Sequence, residues 1–157
     1  MLPVNLIKIF FMSMLPVWEL RGSIIVSQAF NPPVPIVAAI AVCMAGNLIP
    51  VPFVYFFARR FLEWGKDKKG IGKPCSWILS KGEKAGDKLG RKGAGLFIAV
   101  MIFVGIPVPG TGAWTGTLAA SMLNMGFKKT ILAVLCGLAM AATIMGILSV
   151  VGFSFFR

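Results

Sequence analysis

From Ile36 to Leu62 the chain is apolar except for Gly46-Asn47, Pro50, Pro52 and the closing pair Arg59-Arg60, and a second apolar run extends from Ile131 to about Phe153. A helix needs about 20 mainly apolar residues to cross bilayer hydrocarbon. Both runs reach that length, which rules out an ordinary soluble domain and predicts an all-α integral membrane protein. The composition agrees: 57% of the 157 residues are hydrophobic and 13% charged, against about 45–50% and 25% in soluble domains.

A net charge of +11 would suggest nucleic acid as a partner, but its distribution argues otherwise. Residues 59–92 carry eleven basic and four acidic side chains, a net +7. The positive-inside bias makes this stretch, bounded here as 63–93, a basic cytoplasmic loop. No nucleic-acid partner is expected; membrane lipids are. Trp77, Ile78 and Leu79 beside lysines suggest a helix on anionic headgroups, although a solvated loop would have the same composition. The absence of His removes His-based zinc sites and His-centred triads. Cys43 and Cys136 lie in apolar runs, where a small hydrophobe is the expected role. No cofactor is expected. Met1 to Ile7 carries no basic residue and Lys8 interrupts the apolar stretch, so the N-terminus reads as structural rather than as a secretory signal.

The remaining apolar segments are short and broken. Leu2 to Leu15 ends at Pro16 and is followed by Trp18-Glu19-Leu20-Arg21-Gly22 and a short piece to Phe30. Leu96 to Gly105 is followed by the Pro/Gly-rich stretch 106–116 and a piece to Met125. Each reads as a re-entrant hairpin, the other possibility being one irregular span. Pro50 predicts a kink in the first long run, because a proline there leaves the Gly46 carbonyl without its helical donor.

The halves share a plan. Residues 1–62 make a first membrane repeat with hairpin 2–30 and span 34–62. Residues 94–157 make a second, with hairpin 95–125 and span 127–153. Pro16 and Pro107 align, as do the Cys43–Gly46 and Leu135–Gly137 stretches. If the first span ends in the cytoplasm and the second begins there, the repeats have inverted topology, the plan of many secondary transporters. Two breaks at membrane depth require a protein-lined or wet centre.

Glu19 is the one acidic residue outside the polar loop, and Arg21 the one basic residue in the first break. Since a charge near the bilayer centre costs about 2.5–3.5 kcal/mol, such a group is a functional candidate. Glu19 is assigned proton coupling, and Arg21 an anionic substrate group or the tuning of Glu19; a structural ion pair is the alternative. Gly110, Thr111, Gly112 and Thr115 offer backbone N–H and hydroxyl groups to an anion. Trp18 and Trp114, one per break, offer faces to a cation or flat ligand, or ordinary packing. Asn47 offers an amide to ligand or to a neighbouring helix. Gly110-Thr111-Gly112 lacks the Gly-Lys-Ser/Thr of a phosphate loop, so a nucleotide site is rejected.

Three stretches, Pro16-Val17-Trp18-Glu19-Leu20-Arg21-Gly22, Gly46-Asn47-Leu48-Ile49-Pro50-Val51-Pro52-Phe53 and Ile106-Pro107-Val108-Pro109-Gly110-Thr111-Gly112-Ala113-Trp114-Thr115-Gly116, resemble the small multi-drug export protein family. That family is similar in plan to the DedA/VTT superfamily, implicated in moving lipids such as polyisoprenyl phosphate carriers. The resemblance implies a multi-pass protein of a bacterial or archaeal inner membrane with paired re-entrant hairpins. A secondary transporter, proton-coupled at Glu19 and acting on a small amphipathic or phosphate-headed substrate, is the first expectation. A flippase for a phosphate-headed lipid and a non-transporting scaffold are the others, and enzymatic chemistry ranks last. Two spans and two hairpins make a thin wall, so a homodimer is expected, with the Gly137, Ala141, Gly146 face of the last span available to a neighbouring helix.

Overall fold

The computed structural model describes residues 2–68, 72–88, 94–108 and 111–155, which form α1 (Leu2–Met14), α2 (Glu19–Ala29), α3 (Ile36–Leu48), α4 (Pro50–Gly65), α5 (Gly72–Lys88), α6 (Ala94–Gly105), α7 (Ala113–Met122) and α8 (Phe127–Phe155), with no strand among the described residues. Prolines set most of the boundaries. The residue before a proline is pushed out of the helical region, and α1 stops just short of Leu15-Pro16. Asn31-Pro32-Pro33 separates α2 from α3, and Pro35 stands at the N-cap of α3. Ile49-Pro50 divides the first long run into α3 and α4, where the lost donor predicts a kink. The basic stretch contains a helix, α5, where the sequence left helix and loop open.

Two apolar helical runs are long enough to cross a membrane: Ile36–Gly65, 30 residues counted through the Pro50 break, and Phe127–Gly152, 26 residues. At 1.5 Å per residue even the shorter covers about 39 Å, more than the roughly 30 Å hydrocarbon core. The outer surface suits that environment. Val37, Phe53 and Phe57 are each more than 70% exposed, and Ile7, Phe11, Leu132, Ile147 and Leu148 also face outward. An apolar exterior of this extent is what lipid, rather than water, accommodates.

The packing is reciprocal. In the first half α1 and α2 pack on each other and on α3; in the second, α6 and α7 pack on each other and on α8. Each half also reaches into the other, α2 against α8 and α7 against α4. Two glycines set the closest crossings. A Cβ on Gly46 would lie 2.1 Å from Ser13 Oγ and 2.6 Å from the Phe10 carbonyl oxygen of α1; one on Gly137 would lie 2.7 Å from the Met101 carbonyl oxygen and from Val104 Cβ of α6. Gly46 follows Pro16 at the same spacing as Gly137 follows Pro107. Gly46→Ala and Gly137→Ala should each lower stability by about 1–3 kcal/mol, because helix backbones must separate. Gly126→Ala, with nothing near its Cβ position, serves as the neutral control in detergent melts.

Small residues on α8 are therefore used within the chain. Gly137 meets α6, Ala141 is buried, and a Cβ on Gly146 would touch Ile40 of α3 at 3.1 Å. The neighbouring helices that this face meets within the chain are α6 and α3.

The α7–α8 turn is tied to the second half of α4. Asn124 adopts φ 56°, the left-handed conformation that asparagine tolerates, and its side-chain oxygen accepts from Arg59. The Tyr55 hydroxyl donates to the Met125 carbonyl, and Ser121 Oγ donates to the Tyr55 carbonyl at 2.9 Å. Arg59 also pairs with Glu63 at 2.8 Å. α5 packs on α4 and α7, so α7 runs from its N-terminus toward the basic end of the molecule. α2 runs instead to the turn that starts α3, where the Val34 N–H donates to the Ser27 carbonyl at 3.0 Å and Gln28 Nε2 to the Val34 carbonyl at 2.9 Å.

Candidate functional site

The two breaks meet. Each interrupted pair of helices exposes a C-terminus with unpaired carbonyls and an N-terminus with unpaired N–H groups, and side chains from the opposite break satisfy them. The Arg21 guanidinium, in the first turn of α2, donates to the carbonyls of Val104 at 3.0 Å and Ile106 at 2.7 Å, and to those of Val108 and Thr111. All four belong to the end of α6 and the segment that follows it. In return Trp114 Nε1, in the first turn of α7, donates to the Met14 carbonyl at the end of α1 at 3.0 Å.

Glu19 takes the other terminus. Its carboxylate lies over Gly112, the N-cap of α7: a Cβ on that glycine would fall 1.6 Å from Oε2. Oε1 accepts from the Trp114 N–H at a long 3.4 Å. The helix N-terminus carries partial positive charge and the C-terminus partial negative charge. Glu-Leu-Arg therefore matches the broken α6–α7 segment electrostatically, carboxylate on the N-terminus of α7 and guanidinium on the C-terminus of α6. Glu19 is 9% exposed and sits at φ 44°, a conformation costing a non-glycine residue roughly 1–2 kcal/mol. Strain of this kind persists where surrounding structure enforces it, which singles this residue out.

The remaining candidates divide. Thr111 Oγ1 shares its proton between the Ile106 and Val108 carbonyls, both at 2.9 Å. Thr115 Oγ1 accepts from the Gly112 N–H at 2.9 Å, fixing the start of α7. Trp18 is half exposed and its ring edge closes over Gly22. Asn47 is fully buried on α3, and neither amide atom has a hydrogen-bond partner among the described residues, the other candidates included. Gly110 lies outside the described residues. Glu19 and Arg21 are not an ion pair; among the described residues the pair within 4.0 Å is Arg59–Glu63.

Beside the carboxylate lies a cleft of about 440 Å³ lined by Pro16, Val17, Trp18, Glu19, Arg21, Gly22, Pro107 and Met145. This is within the size range of small-ligand sites. Neither Pro107 nor Met145 is among the site residues the sequence suggests. Met145 lies in an unbroken apolar helix and carried no signal, whereas the alignment of Pro107 with Pro16 could have placed it. Ser23 and Thr117 were also missed, although their helical spacing from the breaks was readable.

Comparison with known proteins returns no match among curated proteins and none among solved structures. One family profile does match, described as "Putative small multi-drug export protein", over residues 19–144. The match begins inside the first break, at the carboxylate that meets α7, runs through the second break and ends in α8. With residues 19–144, most of its length, inside that match, the chain belongs to the small multi-drug export protein family.

Proposed function

We propose that this protein is a proton-coupled secondary exporter of a small amphipathic cation, multi-pass in a prokaryotic inner membrane. The observation that carries the reading is the placement of Glu19: a buried carboxylate against a small-molecule-sized cleft, held among the described residues by one long hydrogen bond. A substrate cation in the cleft and a proton compete for that carboxylate. Competition for one charge is the minimal device for exchanging one against the other. Trp18 lines the same cleft and offers a ring to a cation.

The reciprocal packing supports an inverted repeat of two re-entrant hairpins, α1–α2 and α6–α7, whose tips meet between the spans. The basic α5 end then faces the cytoplasm, which would bring the exposed Trp77 to the headgroups. Two spans enclose little, so a homodimer belongs to the proposal. A flippase acting on a phosphate headgroup would need a guanidinium free to bind it; that of Arg21 is instead committed to four carbonyls. The family's name points to transport rather than catalysis.

Reconstitution tests the reading. Proteoliposomes with an acidic lumen should accumulate ethidium at least about tenfold faster than protein-free vesicles, a barrier difference near 1.4 kcal/mol. Collapsing the pH gradient with nigericin should release the dye. Uptake at the protein-free rate, from protein shown helical by circular dichroism, would falsify the exporter reading.

A further inference from the structure

Glu19 belongs to a polar line along α2. Glu19, Ser23 and Ser27 stand at successive i, i+4 positions, which share one helix face, and Ser23 and Ser27 are fully buried. A second line runs along α7: Thr117 and Ser121 are again four apart, 0% and 3% exposed. The lines leave the meeting point of the breaks in opposite directions, α2 toward the turn before α3 and α7 toward the Asn124 turn near α5.

The outer member of each line is satisfied. Ser27 Oγ donates to the Ile24 carbonyl at 2.6 Å and accepts from Gln28 Nε2 at 3.1 Å; Ser121 donates to the Tyr55 carbonyl. The inner members are not: Ser23 Oγ and Thr117 Oγ1 are buried with no hydrogen-bond partner among the described residues. A buried hydroxyl left unpaired costs about 1–3 kcal/mol, and sites of this kind are commonly completed by internal water. Ser23 lies one turn, about 6 Å along the axis, from Glu19, a gap that one water bridges. Thr117 lies one turn beyond Ala113, next to the Gly112 on which the carboxylate rests.

We propose that Ser23 and Thr117 are the inner stations of two hydrated half-paths that bring protons to and from Glu19, Ser23 from the face opposite α5 and Thr117 from the α5 face. Each hydroxyl hands its own proton to the next acceptor as it takes one from the water behind it, so no charge remains on Oγ. Arg21 is the charged side chain beside Glu19, and Tyr55 with Arg59 stands at the far end of the α7 line. The inference rests on the exporter reading, but half of its test does not depend on transport.

In a background of Cys43→Ala, Cys75→Ser and Cys136→Ala, silver ion in chloride-free buffer is the probe. Ser23→Cys should react from the face opposite α5 and Thr117→Cys from the α5 face, each at least about tenfold faster than the buried control Ile24→Cys. Ser23→Ala and Thr117→Val should slow pH-driven ethidium exchange about tenfold, the loss of one hydrogen-bonded relay, with ethidium affinity unchanged. Thiols no more reactive than Ile24→Cys overturn the half-paths even if the protein proves to be an exporter. Reactive thiols with undiminished exchange in both hydroxyl variants overturn the proton role. If Glu19→Gln transports as wild type, the exporter mechanism fails, while thiol reactivity still decides whether the paths exist.

Discussion

Glu19→Gln is expected to reduce pH-driven exchange to the rate of protein-free vesicles, a fall of at least about 100-fold, since a group that carries the proton typically contributes that much or more. The fold should survive. Glutamine keeps an oxygen able to accept from the Trp114 N–H and fits above Gly112 as the carboxylate does. What it loses is the attraction of a full charge to the α7 N-terminus, about 0.3–1 kcal/mol, and this is opposed by relief from burying that charge. Melting in detergent should therefore shift by only a few degrees. Gly112→Ala approaches the same interaction from the other side, because its new Cβ would occupy the position of Oε2. It should abolish exchange too, and the double variant should be no worse than either single, as expected for residues acting as one unit. Exchange by Glu19→Gln at the wild-type rate would remove the carboxylate from the mechanism.

Much of the framework could be read from the chain because its punctuation is local. Pro16, Pro50 and Pro107 act on their own neighbours, and each stands where a helix stops or restarts. The two spans follow from length and composition alone. Glu19 could be singled out because a lone carboxylate among apolar residues has few uninteresting explanations. Its partners were less accessible: the carbonyls that receive Arg21 lie 83 to 90 residues further along, and backbone acceptors have no sequence signature. For the same reason the sequence, which offers Arg21 as a substrate anchor or a tuner of Glu19, gives no sign that its guanidinium donates to four backbone carbonyls. Trp114 repeats the lesson, with a ring assigned to stacking and an N–H that holds α1. The small residues of α8 illustrate a different ambiguity. A glycine stripe states that something approaches closely, and only the fold shows that α6 and α3 do so.

Arg21→Ala is expected to be the most destabilising single change in the break region, by at least about 3 kcal/mol. The four carbonyls it leaves are not equivalent. Those of Ile106 and Val108 retain bonds from Thr111 Oγ1, and also from the Val108 and Thr111 N–H groups at 2.8 and 3.2 Å. The Val104 carbonyl does not: the Val108 N–H, which would serve it in a continued helix, is turned to Ile106. With the Val104 carbonyl left without a donor among the described residues, the end of α6 should fray and release the segment that seats Glu19. Arg21→Lys should recover only part of the loss, because one ammonium cannot reproduce the planar fork that spans several acceptors. The measurement is thermal unfolding in detergent, read beside exchange: Arg21→Ala should lose both, Arg21→Lys should be intermediate in both. A phosphate-binding arginine would behave oppositely, with stability intact and only anionic-lipid movement lost. An Arg21→Ala protein that melts within about a degree of wild type, a change well under 1 kcal/mol for a chain of this size, would show that the clamp is not what holds the two breaks together.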